Sequence, residues 1–520
     1  MLNTNLYTDN LKRLDLLNAP IGGTKLRVAV YRNHSFEMVA SVINAFLHES
    51  GYIADFVYSD YDDSLNFDFH DANIQLIWLD TNRYKSNDLV GFLSERVNVL
   101  RSQTTAPILV AYTGDAALNL DNLTTDCFAL RITDVIGIFG DAAYDVAKES
   151  FSGTRLSNKS CLEIARVLGM RYFPAMVAPA LKAVVVDLDN TLYSGVLGED
   201  GVDKIIPNNE FQQQLKGLKD NGFFLCIASK NEEVDVINMF QKRTDFILRW
   251  DDFTVARVNW KPKDENIIEI AKTLNIGTDA ILFIDDNPAE IENVATTNVH
   301  TILATDNICS VMKYYPGLLK LKHSSEDKLR ADDIRANIER AKLAQSLTPA
   351  EYFAKLGICL EYHVNDLSQM TRVAELFGKT NQFILTYARY NETVVNEFMT
   401  TPGRAIVTIR MSDNLSDSGV IAILATHKSG AYLVLDEMTV SCRALGRKLE
   451  NVMLPYLFAV AAKQLGTDNV IEINYKHGER NGPAMQWLAE LAGTELDASG
   501  CVAYEIPENI DLTGLKIEVM

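Results

Sequence analysis

Two acidic residues two positions apart follow a short apolar run in the first half of the chain. The run from Ala183 to Val186 contains three consecutive valines, and Asp187 and Asp189 come directly after it. Such a run is typical of a buried parallel strand, and open α/β sheets place their chemistry at the carboxyl ends of their strands. Two carboxylates at this spacing can hold Mg²⁺, or divide the roles of nucleophile and general acid or base. The alternative is an ordinary strand that ends in a polar turn.

Three further segments also place polar side chains next to a predicted strand or helix. The run FFLCIA ends at Ser229, for which the alternative role is that of a helix cap. The segment VNWKPKDEN places Lys261 and Lys263 ahead of a predicted helix, where a lone lysine is usually a surface residue. The run ILFI ends at Asp285 and Asp286, and the proline that follows suits a first helical turn. The order of the four segments favours a single site.

In this order the four segments resemble the motifs of the haloacid dehalogenase (HAD) superfamily of phosphotransferases, in the form found in FkbH-like proteins. DLDNTLYSGVLGEDG is similar to the first motif, and SGVLGEDG would form a flap beside the active site. The resemblance implies that Asp187 is the nucleophile and that Asp189 is the general acid or base. It also implies that Ser229 holds a phosphoryl oxygen and that Lys263 neutralises charge, whereas Lys261 faces solvent.

The same resemblance implies a Mg²⁺ cofactor held by oxygen ligands and waters. Asp285 is the first choice for the motif-four ligand and Asp286 the second. Asp187 and the main-chain carbonyl of Asp189 would complete the protein ligands, and the ion and Lys263 would offset charge during phosphoryl transfer. The remaining residues predicted to bind substrate in this region are Asn190, Thr191 and Asn231.

The last third of the chain resembles two further patterns. ELFGKTNQFILTYARY is similar to the K-T-N-Q-F-N-L-T motif of FkbH-like proteins, with Ile384 where many members have Asn. TVSCRALGRKLEN resembles the R-x-x-G-x-G/A turn of GNAT N-acetyltransferases, whose main-chain N–H groups hold a pantetheine pyrophosphate. Arg443 and Gly446 match this turn. Lys448 replaces its last small residue, which favours a protein-borne pantetheine over coenzyme A. Asn481 matches the Asn that precedes the late GNAT helix.

Cys442 is a candidate catalytic thiol. It lies beside Arg443 and just before a predicted helix, two features that lower the pKa of a thiol. In that role it would carry a glyceryl thioester between the phosphate and the carrier, and the alternative is a small buried core residue. His427 and His477 are predicted to be surface or strand-end residues, because nothing near them in the sequence marks a partner.

We predict an α/β protein of three domains. The first is a doubly wound α/β domain, which the resemblance implies is SGNH-like. The second is a Rossmann-like HAD domain with a parallel sheet and a small flap, and the third is a GNAT-like α+β domain. A charged helix laced with side-chain pairs would link the last two. The predicted limits are residues 1–175, 181–320 and 350–520 for the domains and 326–346 for the linker helix.

The first predicted domain carries little sign of chemistry. Some FkbH-like proteins have a domain similar to SGNH hydrolases at this place, but the chain has no clear GDS motif and no convincing DxxH. Ser35 beside His34 is either a remnant of such a site or an ordinary strand-end turn.

The composition of the chain limits the classes of partner that we expect for this protein. The net charge is −20 at pH 7, which argues against nucleic acid, because phosphate backbones need a basic face. The seven cysteines include no CxxC pair, which fits a reducing cytoplasm and argues against a zinc knuckle. The chain shows no signal-peptide core and no run long enough to cross a bilayer. These features predict a cytoplasmic protein without a membrane or nucleic-acid partner, and they leave its oligomeric state open.

Together the patterns predict an enzyme. By resemblance, a three-carbon acyl phosphate such as 1,3-bisphosphoglycerate would lose its phosphate at Asp187, and the last domain would pass the glyceryl unit to the thiol of an acyl carrier protein, in polyketide or polysaccharide biosynthesis. An acidic carrier would need a local basic patch on this acidic chain. Two alternatives stay open: a plain Mg²⁺-dependent phosphatase, and an acyl-CoA-dependent N-acyltransferase whose HAD part is regulatory.

Overall fold

The structure is a computed structural model of the 520-residue chain. The chain divides into two compact units, one of residues 1–272 and 276–323 and one of residues 273–275 and 324–520. No helix among the described residues is both long enough and apolar enough to cross a membrane. The structure describes residues 4–8, 11–17, 19, 21–60, 67–84, 88–114, 118–120, 123–321, 334, 336, 340, 348–441, 444–445 and 449–520.

The first sheet of the first unit has five parallel strands in the order β2-β1-β3-β4-β5. Every residue of β3 and β4 is buried, as in a sheet covered on both faces. The strands are β1 Thr24–Arg32, β2 Tyr52–Tyr58, β3 Ile74–Asp80, β4 Ile108–Thr113 and β5 Cys127–Arg131. The α-helices of this part are Arg13–Leu17, Glu37–Glu49, Leu89–Arg101, Ile132–Ile136, Glu149–Ser152, Asn158–Val167 and Phe173–Val177.

The second sheet of the same unit also has five parallel strands, in the order β10-β9-β6-β11-β12. The strands are β6 Ala183–Val186, β9 Phe224–Ser229, β10 Val255–Val258, β11 Ile281–Asp285 and β12 His300–Leu303. The α-helices of this part are Asn209–Asp220, Glu233–Lys242, Lys263–Leu274, Pro288–Ala295 and Ile308–Tyr314. The central strand β6 is buried at every position, and it pairs with β9 on one side and β11 on the other.

A short flap follows β6. Its strands β7 Tyr193–Ser194 and β8 Ile206–Pro207 pair as an antiparallel ribbon, and the helix Leu197–Asp200 lies between them. The turn into this flap needs Gly195, whose φ of +103° is one that residues with a side chain rarely adopt.

The two sheets of the first unit share one apolar cluster, which runs through buried residues of both. A buried polar group joins the same two parts. The Glu163 carboxylate pairs with the Arg166 guanidinium, and the Tyr314 hydroxyl donates to Glu163 Oε1 at 2.6 Å and accepts from Arg166 Nη2 at 3.1 Å. Glu163 and Arg166 lie after the first sheet in the sequence, and Tyr314 lies after the second. The domain limits given by the sequence remain predictions.

The second unit is built on a mixed sheet of seven strands in the order β18-β17-β16-β15-β14-β13-β19. The strands are β13 Cys359–Val364, β14 Arg404–Ser412, β15 Asp417–Ser429, β16 Tyr432–Val440, β17 Val470–Lys476, β18 Ser499–Glu505 and β19 Lys516–Val519. The α-helices are Pro349–Leu356, Met370–Lys379, Glu392–Thr400, Glu450–Leu465 and Gly482–Ala492. The pairs β13–β14, β14–β15 and β15–β16 are antiparallel, and β16 pairs with β17 in parallel. This mixed pairing distinguishes the second unit from the parallel sheets of the first.

The buried Glu163 group yields a stability prediction. Glu163→Gln leaves the Arg166 guanidinium without its carboxylate, and breaking a buried ion pair from one side costs about 3–5 kcal/mol. We expect the urea midpoint of the first unit to fall accordingly. Glu292→Gln makes the same chemical change at an exposed position and should alter stability by less than about 0.5 kcal/mol. Equal midpoints for the two variants would show that the group does not stabilise the fold.

Candidate active site

The carboxyl ends of β6, β9 and β11 bring predicted site residues to one edge of the second sheet. Val186 pairs with Ile227 of β9 and with Ile284 of β11, so the residues that follow these strands start from neighbouring positions. The main-chain N–H of Asp187 donates to the carbonyl of Ile284 at 3.0 Å, which extends the parallel register one residue further. Ser229 ends β9 on the other side of β6.

A buried lysine lies between two of the predicted acids. Lys263 is the first residue of the helix Lys263–Leu274, and its Nζ lies 3.0 Å from Asp187 Oδ1 and 2.5 Å from Asp285 Oδ2. All three side chains are at most 7% exposed. Burial lowers the pKa of Lys263, but the attraction of the two carboxylates outweighs it, so the pKa is raised overall and the ammonium form is favoured.

Three carboxylates form a compact oxygen cluster at this edge. Asp187, Asp285 and Asp286 each offer an oxygen, and these atoms all lie within 4.8 Å of one another. Asp187 Oδ1 is within ion-pair range of Lys263 but accepts no well-aligned hydrogen bond from the described residues. The main-chain N–H of Asn287 donates to Asp285 Oδ1 at 2.9 Å. Burial, followed by the nearby Asp285 charge, raises the pKa of Asp286. The cluster therefore holds more negative charge than Lys263 balances.

Asp189 points its carboxylate to a different set of partners. Asp189 Oδ1 accepts from the Tyr193 hydroxyl at 2.7 Å and from the Leu197 main-chain N–H at 2.9 Å. Asp189 Oδ2 accepts from Asn231 Nδ2 at 2.9 Å. Its carboxylate is not part of the three-oxygen cluster, and the sequence-based prediction assigned its main-chain carbonyl to the metal. The flap and the segment after β9 together fix the orientation of this carboxylate.

Two buried hydroxyl groups line the same strand ends. Ser229 is 1% exposed, accepts from Asn231 Nδ2 at 3.2 Å, and also interacts with Asp187. The Thr191 hydroxyl is buried and has no hydrogen-bond partner within the described ranges. Asn190 adopts a left-handed φ of +52°, and its Oδ1 accepts from the Gly195 N–H at 3.0 Å. Thr191 follows Asp187 and Asp189 in the same segment, and its unsatisfied hydroxyl is a donor that an oxyanion could accept from.

The other predicted residues lie elsewhere. Lys261 pairs with Glu269 and its side chain is 56% exposed, as its predicted solvent-facing position requires. Asn481, in the second unit, donates to the carbonyls of Ile384 and Lys476, both at 2.9 Å. Its side chain therefore supports the local backbone. Cys442, Arg443 and Gly446 lie outside the residues that the structure describes, as does most of the predicted linker helix 326–346.

His427 differs from its prediction in one respect. Its Nδ1 lies 2.8 Å from Asp436 Oδ2 on the neighbouring strand, so it has a carboxylate partner that the local sequence did not indicate. His477 is exposed just after β17, at the end of a strand.

Ser35 and His34, which follow the end of β1, form separate contacts. The Ser35 hydroxyl donates to Glu37 Oε2 at 2.5 Å, and His34 Nδ1 lies 3.0 Å from the Thr154 hydroxyl. Burial, with the nearby arginines, lowers the pKa of His34 to about 3. The ring stacks on Trp78 with centroids 4.9 Å apart. No hydrogen bond of the described residues joins Ser35 to His34, so the pair lacks the coupling of a nucleophile to its base.

Sequence reasoning missed the groups that orient Asp189. Tyr193 and the Leu197 N–H belong to the flap, and the flap itself was predicted from its glycines. The available signal was Tyr193, an aromatic residue with a hydroxyl four positions after Asp189 in a tight turn. Which oxygen it would face depends on how the ribbon closes.

Comparisons with known proteins give similarities to solved structures. No family model matches the chain, and no curated protein matches it. The N-terminal part of protein BF1531 from Bacteroides fragilis, which contains a phosphatase domain complexed with Mg, is 21% identical, with a TM-score of 0.45. That alignment covers 62% of this chain and 99% of the other.

Two further solved structures are HAD enzymes. A HAD-superfamily hydrolase from Ehrlichia chaffeensis is 15% identical, covers 26% of this chain and 97% of its own, and has a TM-score of 0.22. A HAD family enzyme from Bacteroides thetaiotaomicron, complexed with magnesium and inorganic phosphate, is 13% identical, covers 24% of this chain and 94% of its own, and has a TM-score of 0.20. The activity of this chain is inferred from its own site.

The burial of Asp187 yields a pH prediction for the metal-free chain. Burial raises the pKa of Asp187 to about 6 from its ordinary 3.8. The folded chain then binds more protons than the unfolded chain between these values, so this group lowers stability as pH rises through that window. Asp187→Asn removes the titration. In EDTA, the stability of the variant relative to the wild type should increase by up to about 3 kcal/mol from below pH 4 to pH 7.5.

Urea unfolding of the variant and the wild type, at a pH below 4 and at pH 7.5, measures this difference in stability. A gap between variant and wild type that is the same at both would show that Asp187 titrates normally.

Proposed function

We propose that this protein is a Mg²⁺-dependent phosphatase in which Asp187 is the nucleophile. The observation that carries the proposal is the buried cluster of Asp187, Lys263 and Asp285, with the ammonium 3.0 Å and 2.5 Å from the two carboxylates. A carboxylate beside a fixed cation, with buried hydroxyls around it, suits the transfer of a phosphoryl group.

The residues at this edge fit a Mg²⁺ ion. Asp187, Asp285 and Asp286 supply carboxylate oxygens close enough to one another to share an ion, and oxygen is the donor that Mg²⁺ prefers. With Lys263 these ionised groups leave two negative charges unbalanced, which one divalent cation would neutralise. When bound, the ion offsets charge on the phosphoryl group and on the nucleophile.

Asp187 forms the first new bond. One of its carboxylate oxygens attacks the phosphorus, and the bond from phosphorus to the leaving oxygen breaks with its electron pair. Lys263 keeps its position beside Asp187 Oδ1 and balances the charge on the transferring group. Ser229, and Thr191 with its unpartnered hydroxyl, would donate to the phosphoryl oxygens. The product of this step is a phosphoryl group on Asp187.

Asp189 acts as the general acid and base. As an acid it gives a proton to the leaving oxygen, and as a base it then takes one from the water that releases phosphate from Asp187. Tyr193 and Leu197 hold one of its oxygens and Asn231 holds the other, so the carboxylate keeps its orientation through both steps. Two of these donors belong to the flap and the third follows β9, so both segments fix the group that transfers the protons.

Loss of the nucleophile tests the proposal. Asp187→Asn should lower phosphate release from p-nitrophenyl phosphate at least about a thousandfold, because an amide cannot form the covalent intermediate. EDTA should abolish the wild-type activity, and added Mg²⁺ should restore it. Asp220→Asn removes a carboxylate from an exposed position at the end of the helix Asn209–Asp220 and should leave the rate unchanged. A wild-type rate in the Asp187 variant would exclude this mechanism.

We further propose that the substrate is a three-carbon acyl phosphate and that a carrier-protein thiol attacks its acyl carbon. The C–S bond of a glyceryl thioester forms as the C–O bond to phosphate breaks, phosphate leaves, and the thiol proton passes to solvent. Attack of Asp187 on the phosphorus of the same substrate releases free glycerate instead, which is the hydrolytic outcome. The support is the resemblance of the K-T-N-Q-F segment to FkbH-like proteins. A second support is that hydrogen bonds fix the conformation of this segment in the second unit. The carboxylate of Glu437 accepts hydrogen bonds from the main-chain N–H groups of Leu385, Thr386 and Ala388. Such binding keeps the segment in one conformation, as a binding element requires.

A transfer assay separates this finer proposal from plain hydrolysis. The protein is incubated with Mg²⁺, 1,3-bisphosphoglycerate and holo-acyl carrier protein, and the carrier is weighed by mass spectrometry. The expected result is a carrier that gains one glyceryl mass when the protein is present and gains none when the protein is omitted. Release of free phosphate without modification of the carrier would support the phosphatase proposal and exclude the transferase proposal.

A further inference from the structure

A segment of the second unit lies between two strands that separate from each other. β16 and β17 pair in parallel over only three residue pairs, Leu433–Leu435 with Ile471–Ile473. Beyond those pairs, the segment of residues 383–388 bonds to both strands. Val440 N–H donates to the Phe383 carbonyl at 3.0 Å, and Lys476 N–H donates to the Leu385 carbonyl at 2.8 Å. The segment thus completes the sheet locally, and its end reaches the carboxyl end of β17.

A buried carboxylate fixes this segment. Glu437 has no exposed surface, and its oxygens accept from the main-chain N–H groups of Leu385 at 2.9 Å, Thr386 at 3.0 Å and Ala388 at 2.7 Å. The Thr386 hydroxyl donates to Glu437 Oε2 at 2.7 Å. A buried carboxylate with this many donors holds its neighbours in a single arrangement, because any departure leaves it unsatisfied.

Tyr387 is strained inside the fixed segment. Its φ of +62° is in the left-handed region, which costs energy for a residue with a side chain and persists only where the surroundings impose it. Its ring lies against Gly478, where an added Cβ would come within 2.4 Å of Tyr387 Cε2. The Tyr387 hydroxyl is buried and has no hydrogen-bond partner among the residues that the structure describes. The hydrogen-bonding capacity of this hydroxyl is therefore not satisfied by the described residues.

The Tyr387 side chain lines a cavity of about 270 Å³. Lys476 and Arg480 line it as well, and neither takes part in an ion pair within the described part of the chain. Among the described residues of its wall Glu479 is the single carboxylate, so their formal charge is positive although the chain carries −20. The described residues that line it are Asn381, Tyr387, Lys476, His477, Gly478, Glu479 and Arg480.

We propose that this cavity is a binding site for a small organic molecule through its anionic group, a phosphate or a carboxylate. The Tyr387 hydroxyl would donate a hydrogen bond to the anion, and Lys476 and Arg480 would pair with its charge. A cavity of this volume admits a small molecule. The site belongs to the second unit and is independent of the phosphoryl chemistry proposed for Asp187.

Calorimetric titration of the full chain in EDTA tests the site, with inorganic phosphate and glycerate as probes at low ionic strength, where surface charge is least screened. We expect at least one probe to bind. Arg480→Gln and Tyr387→Phe should each weaken that binding about tenfold or more, through loss of a charge-assisted bond. Lys463→Gln removes one positive charge from an exposed position of the same unit and should leave the affinity unchanged.

Binding in the Asp187→Asn variant separates the two sites. That variant should lose phosphate release and still bind the probe with wild-type affinity, whereas the loss of both would assign the bound anion to the first unit and overturn the proposal. Binding of phosphate alone identifies a phosphate ester as the source of the anion, and binding of glycerate alone identifies a carboxylic acid. Failure of both probes to bind, or affinities that Arg480→Gln and Tyr387→Phe leave unchanged, would also overturn it.

Discussion

The candidate active site depends on the pairing of one buried ammonium with two buried carboxylates. Lys263, Asp187 and Asp285 are all removed from water, and each would be costly to bury alone. Together they offset part of that cost, and burial still raises the pKa of Asp187 to about 6. Asp286 adds a third carboxylate to the cluster, so three acids stand against the one ammonium of Lys263. The negative excess that remains is the physical reason for expecting a divalent cation here.

Asp187 and Asp189 have different surroundings although they are only two positions apart in the chain. Asp187 faces Lys263 and the acids of β11, and Asp189 faces hydrogen-bond donors from the flap and from Asn231. Two identical groups two positions apart can therefore take different roles, since the role is set by the neighbours of each carboxylate. The second unit uses a buried acid in another way, because Glu437 orders a backbone segment and thereby presents Tyr387 to a cavity.

Much of the first unit could be predicted from apolar runs. Buried parallel strands leave a clear pattern, and the polar residues that end them, such as Asp187, Ser229 and Asp285, then meet at one edge of the sheet. Adjacent residues gave less reliable guidance. Ser35 and His34 are neighbours in the chain, yet they bond to Glu37 and to Thr154. The orientation of a side chain depends on its strand face and on what packs there, and neither follows from adjacency.

The sequence by itself determined which residue types end the strands, and so which chemistry was possible: carboxylates, one lysine and hydroxyl groups in a fixed order along the chain. Only the tertiary structure decided that Lys263 is shared between Asp187 and Asp285, that Tyr193 and Asn231 hold Asp189, and that Glu437 fixes the Tyr387 segment. Each of these contacts joins different elements, and its existence depends on strand order and register. Those are consequences of how the whole core packs, and no local pattern of apolar and polar residues encodes them.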